Sequence, residues 1–594
     1  MSGVDAVLEV QNIVDSAHTL AVQIADYYMK WENYRQPWKD EKAELRNYLF
    51  ATDTSKTSNS TLPWRNRTTI PKLTQIRDNL HANYEMALFP NDDWLRWEGY
   101  TVEDSVSNKT KAIEAYMANK LREGEFQRTM SKCLLDYIDY GNAVATVEFI
   151  KETKADTLTG EEIPGFIGPR AIRVNPVDIV INPIATSFYR TPKIRRVIKT
   201  LGQIKKDMIN KPELGYYQDI LDKSMTARRS LSAYDSSDLF KAMGYEIDGF
   251  TSLTDYYNSE YVEILEFEGD IYDNNSEELL LDQVITVIDR MWVIRKEQNP
   301  TWLSRGTYVH TGWRDRQDNL WSMGALDNLV GMQYRIDHLE NIKADAMDMA
   351  VFPPLKIRGN VEEFEWGPGA EIDLGDYGDV EELGKNLNGV ITAENQIAIL
   401  EAKMEEMAGA PKQALGFRTP GEKTAFEVQS LENAASRIFQ HKITKFEKEF
   451  LEPLINLMFE TAKRNMDTLD VVRTIDNDLG VADFMQVTKA DITARGHLRP
   501  VGARHFAARS KLIQELTQLY ASGPLGEMLR PHTSSMSLTK LIEDTLNVER
   551  FKLFKPNVAI AEQQETQRMV NTAQSQLDQE EATDVEPGEP PVEG

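Results

Sequence analysis

The chain has very little cysteine: Cys133 is the only one in 594 residues. A disulfide within one chain is therefore excluded, and the usage fits assembly in a reducing cytoplasm. Cys133 lies between Met130 and Tyr137 in a helical pattern, which reads as a buried thiol. Uninterrupted apolar runs long enough to span a bilayer are also missing, so no membrane span is expected. The opening MSGVDAVLEV is acidic where a secretory signal would be basic and then apolar, so none is expected. Histidine is sparse and scattered, with His497 and His505 the closest pair, and no HExxH, CxxC or EF-hand spacing occurs. No metal or other cofactor is expected. The sequence has neither a G-x-S-x-G elbow nor a Cys-His arrangement, and no internal repeat.

Positive charge is the remaining shortage. Lysine and arginine number 67 against 94 acids, a net charge of −27. A protein that grips nucleic acid tightly usually presents a basic face. If this one handles DNA, it lets the duplex slide: an acidic wall repels phosphate, and a few cations along it give weak, quickly exchanged contacts.

What is present is ample core-forming material for two to four structural units. Helix is expected over 4–50, 70–88 and 108–140, the last with Phe126, Met130, Cys133 and Tyr137 on one apolar face and stopped at Gly141-Asn142. Strands follow at 143–150, 171–183, 261–273 and 284–296, rich in Val, Ile and aromatics. Residues 187–210 read as a locally basic strand and helix, so 1–322 forms an α+β body. From 323 the texture is long-helical. Leu329, Met332, Ile336, Leu339, Ile342, Ala346 and Met349 step by three or four up to Phe352-Pro353-Pro354, which halts the helix. A Gly- and acid-rich segment follows, and then a helix over 393–408 with Ile397, Leu400, Met404 and Met407 on one face. The Gly/Pro-containing loop 410–423 leads into a long helix to about 465. That helix starts at a Thr424–Glu427 capping box and kinks at Pro453. Beyond it come a β segment (484–500), helices at 504–520, 537–550 and from 557, and a Pro/Gly-rich acidic tail expected to be disordered.

Gly416, Gly421, Lys423 and Thr424 nearly spell a phosphate-binding loop. Glu422, however, separates glycine from lysine and puts a carboxylate where phosphate would sit, and no buried strand precedes Gly416. The capping box accounts for Thr424 and Glu427 without a nucleotide. Acid pairs such as Glu362-Glu363 and Glu405-Glu406 read as solvated faces. Nothing argues for catalysis, and the chain is expected not to be an enzyme. The two helices around the Pro/Gly-rich excursion each need to bury an apolar stripe. They do so either as a hairpin within one globule or by packing against neighbouring copies in a ring.

Across most of 60–520, and most densely over 320–465, the sequence resembles the portal proteins of tailed bacteriophages, the head-to-tail connectors of short-tailed phages above all. MGALDNLVGMQYRIDHLENIKADAMDMAVFPPLKI (323–357) is similar to the family's first stem helix and the start of its clip, and WGPGAEIDLGDYGDVEEL (366–383) to the clip's small α/β insert. Residues 394–454 are similar to the returning stem helix, tunnel loop and long wing helix, while DYGNAVATVEF and VNPVDIVINPIA look like wing strands. The resemblance lies in the order and spacing of these segments.

The resemblance implies an α+β, mainly α, ring subunit with these regions: wing 1–322, stem helix 323–352, clip 353–391, second stem helix 392–409, tunnel loop 410–423, wing 424–510, crown and C-terminal helices 511–578, and tail 579–594. It further implies a homo-oligomer of about twelve copies at one vertex of the virion capsid, through which double-stranded DNA is packaged and ejected without sequence-specific contacts. The implied partners are the terminase large subunit, a tail adaptor, and the major capsid and scaffolding proteins. The alternative is an intracellular structural or adaptor oligomer with no DNA channel. On the portal reading, Arg335, His338 and Lys343 of the first stem helix and Lys412, Arg418 and Lys423 of the tunnel loop are candidates to line the channel. Gly416, Pro420 and Gly421 would give that loop its bend and mobility. Equally, these cations can be salt-bridge partners of acids on neighbouring subunits. The basic stretches 190–206 and 489–511 (Arg495, Arg499, Arg504, Arg509) can face DNA or meet acidic neighbours, with subunit contacts the expectation.

Overall fold

A computed structural model describes residues 3–89, 94–101, 103–104, 107–155, 162–182, 184–185, 187–210, 215–231, 261–300, 306–359, 377–382, 388–408, 438–466, 469–475 and 482–500. The Thr424–Glu427 capping box, the helices expected at 504–520, 537–550 and beyond, and the acidic tail lie outside them. Two compact units are present. Val471–Met485 with Ala503–Gly594 form the smaller, in which the described part is most of a two-stranded sheet made by β12 (Leu469–Ile475) and β13 (Ala482–Thr488). The remainder is the larger unit, a mixture of helix and sheet.

The helix expected over 4–50 is two helices, α1 (Gly3–Tyr34) and α2 (Gln36–Leu49). Pro37 sits in the first turn of α2, where its missing N–H costs nothing, and it forces the break. Arg35 at the junction is buried and donates to the carbonyls of Pro176 (2.8 Å), Val177 and Ile179 (2.7 Å), so the corner is fastened to a turn of the sheet region. The pattern over 70–88 is α3 (Lys72–Leu88). After β1 (Leu95–Gly99), the pattern over 108–140 becomes α4 (Ser107–Glu123) and α5 (Phe126–Asp139), divided at Glu125, whose φ is 53°. Phe126, Met130, Cys133 and Tyr137 are all buried on α5, as their spacing requires. Gly141 (φ 71°) ends this stretch. A Cβ there would lie 2.4 Å from the backbone nitrogen of Gly324, so only glycine allows the chain before the long helix to pack on this turn.

Two sheets follow. β2 (Asn142–Ala155) pairs with β3 (Glu162–Val174) and later with β9 (Tyr308–Gly312). The second sheet is antiparallel throughout, in chain order: β4 (Ile179–Ile181), β5 (Lys193–Thr200), β6 (Tyr261–Asp273), β7 (Glu278–Ile288) and β8 (Trp292–Gln298). α6 (Leu201–Asn210) and α7 (Gln218–Leu231) intervene between β5 and β6. Leu20, Ile24 and Tyr28 of α1 pack on one face of the sheet with Val180, Ile194, Leu265, Phe267 and Ile285; Ile204 of α6 and Leu221 of α7 pack with Val262, Ile264 and Ile288 of its strands.

The basic stretch at 190–206 meets acids of its own chain. Lys193 faces Glu268 (3.6 Å), Arg195 faces Glu266 (3.4 Å), Arg196 faces Glu263 (2.6 Å) and Lys199 faces Asp207 (3.0 Å). The expected partners on neighbouring subunits are thus replaced, for these four cations, by the adjacent strand and helix. Glu263 is buried and also takes two bonds from Arg290, at 2.7 and 2.8 Å. Burial opposes its charge, but Arg290 and Arg196 outweigh that penalty and hold the carboxyl down to about 2. Arg290 and its neighbour Asp289 both have positive φ, and the ion pair holds this non-glycine turn between β7 and β8.

Further along are α8 (Val330–Val351), β10 (Leu355–Arg358), β11 (Asp379–Glu382) and α9 (Asn388–Ala408). The chain is helical again from 438, passes through a π-helical turn at Glu447–Leu451, and continues as α10 (Glu452–Asn465). Pro453 therefore marks a change of helical pitch. After the one-turn helix α11 (Lys489–Ile492), β14 (Gly496–Pro500) pairs with β1.

Removing the Glu263 charge takes a carboxylate away from both Arg290 and Arg196. Glu263→Gln is expected to cost about 3–5 kcal/mol, read by denaturant unfolding. Because the folded carboxyl titrates lower than the unfolded one, its contribution is present above the ordinary glutamate range and is lost as pH falls toward 2. The melting temperature of the wild type should decline across that window, and that of Glu263→Gln should decline less.

Candidate functional site

The module 330–408 is helix, two antiparallel strands, helix. Near the start of α8, Gln333 accepts from the Leu73 amide; near the end of α9, Glu405 holds Lys72 at 2.6 Å. The beginning of one helix and the end of the other thus meet at the same place on α3, so the two run antiparallel. Glu405 is only 8% exposed, which corrects its reading as part of a solvated face. At the far end β10 and β11 pair, with Lys356 bound to Glu381 at 2.8 Å.

What holds α8 is mainly polar. From Ser58 the chain runs out along this helix and returns to α3. On the way out, Asn59 donates to the Tyr334 carbonyl and the Trp64 ring packs 5.1 Å from His338. The turn is tied by Asp345, which accepts from the amides of Arg65 (3.1 Å) and Asn66 (2.9 Å), and by Asp348, which accepts from the Asn66 side chain. On the return, Asn341 both accepts from the Thr68 amide and donates to the Thr68 carbonyl, each at 2.7 Å. Asp337 accepts from the Thr69 hydroxyl and the Ile70 amide, and Gln333 donates to the Ile70 carbonyl at 2.5 Å. The strap at 63–71 has neither helix nor sheet to satisfy its backbone, and the α8 side chains supply the missing partners. The positions 333, 337, 341, 345 and 348 step by four or three, so they form one helical stripe.

This stripe corrects the sequence reading, in which α8 buries apolar residues. Leu329 and Ile336 are buried, but so are Gln333, Asp337 and Asn341, whereas Ile342 (44%) and Met349 (37%) are exposed. Met347, Val351 and Phe352 are exposed as well. On α9, Ile397 and Met404 are buried as expected, but Met407 is exposed, as are Ile391 and Ile399. The helix pair therefore buries polar as well as apolar groups and leaves several large apolar side chains exposed.

Of the channel candidates on α8, Arg335 is exposed and, among the described residues, held by no acid. Lys343 is half-buried and paired with Glu340 at 2.7 Å on its own helix. His338 is half-buried between Trp64 and Tyr334, and burial, then Arg335, holds its imidazole below the usual range, so it stays neutral at neutral pH. Lys412, Arg418 and Lys423, with Gly416, Pro420 and Gly421, lie outside the described residues. Two further exposed cations, Arg65 and Arg67 on the strap, went unnoticed; the alternating Arg-Asn-Arg between Trp64 and Thr68 is the signal that marks them. In the second basic stretch, Arg499 meets Glu98 at 3.1 Å, again within the chain, and Arg504 and Arg509 lie outside the described residues.

Burial pushes the Asp337 carboxyl up to about 6, although three donors from Ile70, Thr69 and Gln333 work against the shift. With a folded value above the unfolded one, its ionisation weakens the fold as pH rises through about 6. Asp337→Asn keeps one acceptor, for the Ile70 amide, and removes the charge, so at pH 8 its melting temperature should equal or exceed that of the wild type. Asp337→Ala strands buried donors and should lose about 1–3 kcal/mol at the same pH. Differential scanning calorimetry of both variants at pH 5 and pH 8 checks the pair.

Comparison of the sequence with protein-family models and with curated proteins finds no match in either.

Proposed function

We propose that this chain is a portal subunit: a non-enzymatic member of a homo-oligomeric ring, of about twelve copies, at one vertex of a phage capsid, conducting double-stranded DNA. The observation that carries the reading is the module 330–408. Two antiparallel helices are anchored at one end by buried polar contacts, and large apolar side chains stay exposed along the rest. In a lone molecule Ile342, Met347, Met349, Val351, Ile391 and Ile399 are each exposed to water. Copies set side by side would bury them.

The DNA contact expected of such a ring is weak. A net charge of −27 repels phosphate, and the cations held within the body by Glu263, Glu266 and Glu268 are unavailable for it. Among the described residues of the module, Arg335, Arg358 and Lys403 are exposed cations with no acid bound to them. Repeated around a ring, each makes a shallow belt of positive potential. With the loop cations Lys412, Arg418 and Lys423, these are the residues proposed to touch passing phosphates. The β10–β11 end carries exposed Ile357 and Tyr377 and would dock the terminase large subunit during packaging and the tail adaptor afterwards. The 1–322 body would meet the major capsid and scaffolding proteins.

Electron microscopy of the purified chain should show rings with a central hole of roughly 20 Å or more, enough to pass a duplex. Monomers or filaments defeat the proposal, and closed oligomers with no such hole favour a structural adaptor. Ile342→Asp with Met349→Asp changes exposed positions only, so the folded chain should persist while rings dissociate, read by sedimentation velocity. Arg418→Glu should impair genome packaging or retention while rings still form; normal packaging removes Arg418 from the channel.

A further inference from the structure

In so acidic a chain, one cavity has more cations than acids in its lining. It has a volume of about 330 Å³ and lies among α2, α3, α5 and the end of β3. Lys42, Arg46, Arg77, Lys132 and Arg173 line it against two carboxylates, Asp136 and Asp139. The carboxylates are already used. Arg77 binds both oxygens of Asp139, at 2.8 and 3.0 Å, and Arg173 binds both oxygens of Asp136. Lys42 is turned toward Asp327. Arg46 and Lys132 are left over: both are exposed, and among the described residues neither is held by an acid. They stand on different helices, α2 and α5, at the rim of one cavity.

We infer that this cavity is a binding site for a small phosphate-bearing anion of the pyrophosphate or organic phosphate class, held between Arg46 and Lys132. Two unpaired cations match an anion of at least two charges. The guanidinium groups of Arg77 and Arg173 are fixed by their acids and present remaining N–H donors in a preset orientation. The Asn175 side chain and the Tyr140 ring also line the cavity and can contact a phosphate ester. Leu45, Leu49 and Leu135 give it an apolar wall, suited to the organic part of a phosphate ester. The volume is too small for a stretch of duplex. No residue of the module 330–408 lines the cavity, and its existence does not depend on the ring.

Isothermal titration of the full chain with inorganic pyrophosphate in 150 mM NaCl tests this. Saturable binding of one pyrophosphate per chain is expected, with inorganic sulfate weaker. Arg46→Gln and Lys132→Gln alter exposed side chains without disturbing the buried ion pairs. Each should weaken binding about tenfold, the loss of one charge-assisted hydrogen bond, with an unchanged melting temperature. A short DNA duplex added in excess should not displace the bound pyrophosphate. No saturable binding, binding equally strong in the double variant, or displacement by duplex each overturns the proposal; the last assigns the cations to the nucleic-acid backbone.

Discussion

The structure of the module 330–408 depends on one exchange of hydrogen bonds. A strap with no regular secondary structure leaves backbone amides and carbonyls without partners against a half-buried surface, and an unmet amide there costs more than a met one returns. The side chains of Gln333, Asp337, Asn341 and Asp345 meet that need from a single helical stripe. Each contact fixes both partners. The amides set the register of the strap, and the strap fixes the rotation of α8 about its axis. Rotation in turn decides which residues of α8 are buried, and these include Gln333, Asp337 and Asn341, whereas Ile342 is exposed.

This inversion explains what the sequence could and could not reveal. Hydrophobic periodicity locates a helix well, and it placed α8, α9 and the strands β2, β5 and β6 nearly where they lie. It also chose the face of α5, because Phe126, Met130, Cys133 and Tyr137 pack against apolar neighbours. It failed to choose the face of α8, because a buried Asn or Asp is indistinguishable by hydropathy from a solvated one. A finer signal was present: the stripe uses short amides and carboxylates at steps of four, with no lysine among them. Such residues suit fixed bonds to a backbone better than a solvated surface. The Pro37 break in the first helix was equally legible, since proline marks a helix's first turn as readily as its end.

The basic stretches were harder to place for a different reason. Which acid neutralises a given cation is decided by strand pairing, and pairing is long-range. Arg196 finds Glu263 because β5 pairs with β6 in one register, across 67 positions of sequence. Local composition shows a basic segment and cannot show that its neighbour in the sheet is acidic. The Lys72–Glu405 pair is the same case at 333 positions. For the channel candidates, Arg335, Lys343 and His338 share a helix but not an environment: one is free, one paired on its own helix, and one wedged between aromatic rings.

Charge then links the parts. Among the described residues, many cations in the body are neutralised where they stand, by acids in the sheet or on neighbouring helices. A cation so bound contributes little field at a distance, because its partner cancels it within a few ångströms. Among the described residues, attraction for phosphate falls to the cations with no acid beside them. Arg335, Arg65 and Arg67 on the helix-and-strap assembly, and Arg46 and Lys132 at the cavity, are of this kind. Isolated cations on so acidic a chain bind a polyanion only weakly, the behaviour that the proposed conduit for DNA calls for.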